Sequence, residues 1–325
     1  MALDTAETTL NLESYRRELT GYCYRMLGSG SEADDAVQET MVRAWRNASS
    51  LKAPAALRAW LYRIATNVCL SMLSGAQRRA RPLEVGSLVS ADRPILDELP
   101  RYTWVEPVAD AAVMPESGDP ESVAVARETV RLAFVAALQH LPPRQRAVLV
   151  LREVLHFSAA ETAELLESTV ASVNSALQRA RATIDELDID PAESASVAAE
   201  HEQLLDRYVA AFERYDIDEL VTLLAHDVTF DMPPHAMWLQ GPEDVAKWFV
   251  GPGAECRGSR IVRVRANGQP AYAQYRPAPD GGWAPWSIVL IEVAPGGGAI
   301  GAIHNFLFPE LFAAFGLPER LEPEA

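Results

Sequence analysis

The chain has 325 residues and a formal net charge of -16; 49% of the residues are apolar and 23% are charged. This ordinary globular mix is long enough for two or three domains. No run of about eighteen apolar residues occurs, and the N-terminus lacks a basic start before an apolar block, so we expect a cytoplasmic protein with no membrane span. The three cysteines lie outside any CxxC or Cys/His cluster, so the sequence predicts no metal site and no cofactor.

The charge is unevenly distributed along the chain. Residues 1–81 contain 11 Lys and Arg against 8 Asp and Glu, which gives a net charge of +3. Residues 82–192 contain 9 against 18, and residues 193–325 contain 9 against 19. The N-terminal part is therefore the basic one, although whole-chain charge does not decide what a single face can bind.

Residues 1–81 are predicted to form an all-helical domain. The apolar spacing over residues 12–27 predicts a helix that ends at the turn GSGS, and Ser31 and Asp34 are the expected caps of the helix that follows. After a loop with a proline, a long helix is predicted from residue 57 to the basic cluster before Pro82.

Residues 82–120 combine six prolines with many acidic residues, which is typical of a linker. Two apolar islands, Ile95-Leu96 and Tyr102 to Val105, predict that parts of this linker pack on another surface.

Residues 121–190 are predicted to be helical again. The segment 121–141 has the pattern of one amphipathic helix, and Pro142-Pro143 begins another. Two short helices follow, 158–166 and 170–187, with a capping box from Ser158 to Glu161 and Ser168 as the expected cap of the second. This arrangement predicts a helix-turn-helix.

Residues 193–325 predict an α+β domain. Helical spacing over 201–228 precedes strands with period-two alternation at 228–232, 260–266, 271–277 and 286–293, separated by Gly-rich turns. We expect helices first and then a curved antiparallel sheet, with a short docking helix in Leu307–Arg320.

Three segments together resemble the sigma-70 family of RNA polymerase sigma factors, of the extracytoplasmic-function type. DDAVQET at 34–40 is similar to region 2.2, AWLYRIATN at 59–67 to regions 2.3 and 2.4, and LPPRQR at 141–146 with the helix-turn-helix to region 4. The tail, with LLAHDVTFDMPP, resembles a SnoaL-like (NTF2-like) domain. The resemblance implies two all-α sigma domains and an α+β cone-shaped domain.

The resemblance also implies the partners, core RNA polymerase and promoter DNA. The expected polymerase-binding residues are Asp34, Asp35, Gln38, Glu39 and Arg43. The expected contacts to the -10 element are Trp60, Arg63, Asn67, Arg78 and Arg79, and those to the -35 element are Ser172, Asn174, Ser175, Gln178, Arg179 and Arg181. Acidic linker residues would occupy the basic channel of the polymerase that the RNA also follows.

The tail offers a candidate pocket for a small-molecule ligand, although a protein regulator is also a candidate partner. Its expected lining is Met232, His235, Trp238, Tyr272, Trp286 and His304. Asp231 with a histidine could do acid-base chemistry, but regulation is favoured, and the chain is not expected to be an enzyme. Two alternatives stay open: a ligand-responsive DNA-binding regulator, and a small-molecule isomerase or hydrolase with a fused helical module.

Overall fold

The computed structural model describes residues 12–51, 53–75, 79–115, 120–187 and 198–323. The chain forms two compact units and passes between them more than once. The first unit combines Met1–Arg79 with Asp110–Ile189, and the second combines Ala80–Ala109 with Asp190–Ala325. The residues that the sequence predicts to be a linker therefore divide, because 80–109 fold with the C-terminal part of the chain.

The first unit is helical throughout its described residues. Its helices are α1 Arg16–Leu27, α2 Gly30–Arg46 and α3 Leu57–Met72, then α5 Asp110–Val113, α6 Pro120–Val130, α7 Leu132–Leu138, α8 Pro143–Leu149, α9 Ala159–Leu165 and α10 Val170–Asp185. Helix α8 continues into a wider π turn, Val150–Val154.

The start of α2 differs from the sequence prediction. Gly28 ends α1 in the left-handed conformation at φ 73°, and Ser29, not Ser31 or Asp34, caps α2 by accepting a hydrogen bond from Glu32 N at 3.3 Å. The reason is that Gly28 ends α1 early enough for Ser29 to adopt the extended backbone of a cap.

The helix-turn-helix is confirmed, with one changed cap. Ser158 and Glu161 form the predicted capping box at the start of α9. Thr169, not Ser168, caps α10, because its hydroxyl accepts from Ser172 N at 3.2 Å. The single amphipathic helix predicted for residues 121–141 is divided at Arg131, whose ψ of 143° separates α6 from α7.

Two buried arginines join the N-terminal helices of this unit to its later helices. Arg25 of α1 donates to Thr129 O and Ala126 O, each at 3.1 Å. Arg146 of α8 donates to Met26 O and, at 2.6 Å, to Gln139 Oε1. Their aliphatic stems and guanidinium groups are thus part of the core, where carbonyl oxygens replace water as partners.

The second unit is built on a seven-stranded sheet in the order β1-β3-β2-β7-β6-β5-β4. The sheet is mixed rather than antiparallel, since β2 pairs with β7 and β1 with β3 in parallel. The bounds are α4 Pro82–Val85, β1 Ser87–Leu88, α11 Ala198–Arg214, α12 Ile217–Thr222, β2 Leu224–Asp231, β3 Met237–Gln240, α13 Pro242–Val250, β4 Arg260–Ala266, β5 Gln269–Pro277, β6 Trp283–Val293, β7 Ile300–Phe306 and α14 Leu311–Ala314.

Helices α11, α12 and α13 pack on one face of this sheet and enclose an apolar core. Tyr208 and Phe212 of α11, Leu220 of α12 and Phe249 of α13 belong to one buried cluster with strand residues such as Phe230. The docking helix expected in Leu307–Arg320 is the four-residue α14, whose Phe312 packs edge-on against Tyr275 at 4.9 Å between ring centroids.

Residues 80–109 are integrated into the second unit. Strand β1 extends the sheet at β3, and Leu99 N donates to Pro234 O at 2.9 Å. At the other end of the segment, Val108 N donates to Asn267 Oδ1 and Val108 O accepts from Asn267 N, both at 3.0 Å. The segment therefore runs from the β3 side of the sheet to the β4–β5 turn.

Candidate nucleic-acid interface and ligand pocket

The outer face of α2 contains the residues that the sequence predicts to bind polymerase. Asp34, Asp35, Gln38 and Arg43 are exposed, and Glu39 is half-buried. They are linked along the helix, by Gln38 Nε2 to Asp34 Oδ2 at 2.8 Å and by Arg43 Nε to Glu39 Oε1 at 2.6 Å.

The same helix exposes an apolar surface that the sequence analysis did not select. Trp45 is 59% exposed and Val42 is 40% exposed. A large aromatic side chain left in solvent beside charged residues is typical of a protein contact. The signal was present in the sequence, since Trp45 lies five residues after the end of the DDAVQET motif.

Helix α3 presents three of the expected -10 contacts on one face. Arg63 and Asn67 are exposed, and Trp60 is half-buried. The guanidinium of Arg63 is not free, because it pairs with Glu167 in the turn between α9 and α10. Arg58, one turn before Tyr62, lies 4.7 Å from the ring of Phe157.

Of the two basic residues expected after α3, one differs from the prediction. Arg79 is only 6% exposed and donates to Glu32 Oε1 at 2.5 Å. It therefore connects the segment after α3 to the first turn of α2 instead of facing solvent. The expectation that Arg79 binds DNA phosphate is therefore corrected. Arg78 lies outside the described residues.

All six expected -35 contacts lie on α10, and all six are exposed; they are Ser172, Asn174, Ser175, Gln178, Arg179 and Arg181. The opposite face of the helix is buried through Val173, Leu177 and Ala180. Arg181 pairs with Glu153 at 2.7 Å, so the exposed side chains nearer the start of the helix are the ones most available to a ligand.

The expected ligand pocket is divided between two faces of the sheet. Alternate residues of a strand point to opposite faces. Phe230 and Ile303 are cross-strand partners in the core on the helix side, so the next pair, Asp231 and His304, lies on the other face. Trp238 pairs with Asp231 and shares that other face.

The remaining pocket candidates do not join this group. Met232 and Tyr272 are part of the apolar core on the helix side. His235 has its Nδ1 3.1 Å from Leu96 O, and Trp286 lies under the guanidinium of Arg276, 4.0 Å from the ring centroid. The six residues therefore do not line one cavity together.

Asp231 and His304 form a buried pair. His304 Nδ1 lies 2.7 Å from Asp231 Oδ2, and the exposed fractions are 3% and 0%. Burial alone would lower the pKa of His304, but the charge of Asp231, its hydrogen bond and the nearby carboxylate of Glu292 raise that pKa to about 10. The raised pKa favours the protonated ring, and so an ion pair with Asp231.

Among the residues that the structure describes, no helix is both long enough and apolar enough to cross a membrane. The same ranges contain no group of three or more His, Cys, Asp or Glu side chains that could hold a metal ion.

A helix-turn-helix whose second helix exposes amides and arginines, preceded in the chain by a helical domain, is typical of a DNA-binding protein. The family models for Sigma-70 region 2, Sigma-70 region 4 and the SnoaL-like domain match residues 12–79, 131–184 and 205–297. The ECF RNA polymerase sigma factor SigG of Mycobacterium tuberculosis is 42% identical over 313 residues, which cover 95% of this chain and 83% of SigG. The chain therefore belongs to the ECF sigma factors of RNA polymerase, with a C-terminal SnoaL-like domain.

A second relative has the same domain content along its whole length. The sigma factor SigJ of M. tuberculosis is 28% identical over 327 residues, covering 95% of this chain and 94% of SigJ. Its crystal structure aligns with a TM-score of 0.60 at 25% identity, over 95% of this chain and 99% of that chain. Sigma factors of this class bind core RNA polymerase and direct it to promoter DNA.

Proposed function

We propose that this sigma factor divides promoter recognition between three surfaces: α2 binds core polymerase, α3 holds the -10 strand, and α10 reads the -35 element. The observation that supports the division best is the exposure of all six expected side chains on α10, on the face opposite the buried Val173, Leu177 and Ala180. Exposed amides at the start of a recognition helix can pair with base edges in the major groove.

The -10 assignment is tested at Asn67. Asn67→Ala removes base-edge hydrogen bonds worth roughly 1–3 kcal/mol and should reduce promoter opening more than core binding. Permanganate footprinting measures opening, and a polymerase pull-down measures binding. An equal loss in both assays would assign Asn67 a structural role.

The -35 assignment is tested at Asn174 and Gln178. Either alanine substitution should reduce use of the cognate -35 element in run-off transcription while sparing a template with a pre-opened bubble. If wild type and variant tolerate every -35 substitution equally, α10 is not the reading helix.

For the C-terminal domain we propose regulation of the sigma regions and no catalysis, within the cytoplasm where core polymerase is found. The supporting observation is that residues 80–109, the covalent connection between the two sigma regions, fold as part of the SnoaL-like unit. A free chain of this length could extend to about 100 Å, at roughly 3.3 Å per residue. The domain therefore limits how far the two sigma regions can separate as long as it holds the connection.

The connection can be loosened without removing the domain. Asn267 has φ 53° and binds Val108 through its side chain. Asn267→Gly suits that backbone conformation and removes the side chain that accepts from Val108 N, so we expect altered run-off transcription with core binding unchanged. Deletion of residues 193–325 should alter transcription more strongly, because residues 80–109 would lose the rest of the unit with which they fold. Unchanged transcription in both variants would contradict the regulatory role.

A further inference from the structure

Val170, the first residue of α10, is an exposed apolar side chain. It is 44% exposed, whereas Val173, Leu177 and Ala180 on the inner face of the same helix are between 0% and 7% exposed. Valine is also a weak helix former, since its branched Cβ loses side-chain freedom against the neighbouring turn. Local stability therefore does not account for a valine at this position.

The position of Val170 places it among the side chains expected to face DNA. Asn174 lies one turn further on, so the two share a face of the helix. The hydrogen bond from Ser172 N to Thr169 Oγ1 fixes the first turn, and β-branching restricts the side chain to few rotamers. The methyl groups of Val170 are thus held in a defined place beside an amide that can read a base edge.

The first two turns of α10 contain no charged residue. From Val170 to Leu177 the exposed side chains are small, hydroxyl-bearing or amide-bearing, and the first cation is Arg179. Attraction to phosphate therefore comes from the second half of the helix. The first half can recognise DNA only by hydrogen bonds and by apolar contact.

We propose that Val170 reads a thymine in the -35 element by contact with its C5 methyl group, and that it is a specificity-determining residue alongside Asn174 and Gln178. The thymine methyl is the apolar group that the major-groove edges of the bases present. The inference rests on the proposed role of α10 as the -35 reader. Burial of one methyl group contributes about 0.8 kcal/mol, which corresponds to about fourfold in affinity.

Uracil replaces thymine without the methyl group and without any change in pairing, so it isolates this contact. Holoenzyme made from the full chain and core polymerase first selects its preferred -35 sequence from a randomised duplex. Each thymine of that sequence, on both strands, is then replaced by deoxyuridine, and holoenzyme affinity is measured. We expect one position at which wild type binds the uracil duplex about fourfold more weakly, and at which Val170→Ala binds both duplexes equally.

Val250→Ala is the matched control, because it makes the same change at a 66% exposed valine at the end of α13. It should keep the full sensitivity to uracil. Alanine is the better helix former, so Val170→Ala is not expected to unfold α10, and its core binding serves as the check. A methyl effect that persists in Val170→Ala, or that is absent at every thymine, would overturn the inference while leaving α10 as the reader. A selection that yields no -35 preference would instead reject the reading role of α10 itself, and the inference with it.

Discussion

The two units hold buried charge in different ways. In the first unit, Arg25 and Arg146 place their guanidinium groups among carbonyl, amide and hydroxyl oxygens, and burial lowers the pKa of each to about 10. In the second unit, Asp231 and His304 are opposite charges side by side on adjacent strands, and the pKa of His304 is raised to about 10.

The difference follows from what each charge connects. The arginines bind backbone that lies more than 100 residues away in sequence, so they join the two sigma regions within one unit. The Asp231–His304 pair connects β2 and β7, which are already hydrogen-bonded neighbours in the sheet, so it stabilises only the local pairing of these two strands. We therefore expect loss of an arginine to weaken the packing of whole helices against each other. Loss of the histidine should weaken only one part of the sheet.

The largest expected effect is that of Arg146→Ala. It would leave the oxygens of Met26 and Gln139 without their buried donor, and hydrogen bonds to a charged group contribute roughly 1.5–3 kcal/mol each. We expect the free energy of unfolding of the first unit to fall by about 3 kcal/mol, measured by hydrogen exchange in α1 and α8 under increasing urea.

Arg144→Ala is the control for Arg146→Ala, because it removes the same charge from an exposed position two residues earlier in α8. Its effect should stay within about 0.5 kcal/mol. Similar losses in the two variants would mean that the contacts of Arg146 do not join the sigma regions.

A smaller, pH-dependent effect is expected in the second unit. The folded-state pKa of His304 lies above its ordinary value of 6.5, so the pair stabilises the fold fully below about pH 6.5 and loses this contribution as pH rises toward about 10. From pH 7 to pH 8 the loss is at most about 1.4 kcal/mol.

Hydrogen exchange in β7 measures this pH dependence, and His304→Asn separates it from the titration of other groups. The variant should be less stable than wild type at pH 7, and its stability should change less between pH 7 and pH 8. Parallel pH profiles for the two proteins would show that His304 is not the titrating group.

Sequence patterns predicted the helices and strands of both units better than they predicted which charged residues are buried. Helical spacing, the capping box at Ser158 and strand alternation depend on near neighbours, and those elements were found. Arg25 and Arg146 have the spacing and charge of surface residues, and only packing against distant helices reveals them as core.

The second unit demonstrates the same limit. Of the two apolar islands predicted to pack, the one at Tyr102 to Val105 does bury Trp104, which is 0% exposed, whereas Leu96 of the other island is 53% exposed. Composition also does not reveal the burial of Glu106, which is 1% exposed in a pair with Arg101. The ligand pocket combined residues of suitable chemistry, but which face each occupies depends on strand register. The parallel pairing of β2 with β7 is a long-range contact that local alternation does not specify.

The smallest expected effect belongs to an exposed ion pair in the first unit, Arg63 with Glu167, and it separates stability from function. Their side chains are 46% and 69% exposed, so the pair contributes only about 0.5 kcal/mol. In the role proposed for α3, Arg63 would have to leave Glu167 in order to bind the promoter strand. Glu167→Gln should therefore cost little stability and raise run-off transcription about twofold at limiting protein, the factor that this free energy represents.

Glu164→Gln makes the same charge change on an exposed residue one turn earlier, which separates release of Arg63 from weaker repulsion of DNA. If the two variants raise transcription equally, the contact does not compete with promoter binding, and Arg63 is available to DNA in both states.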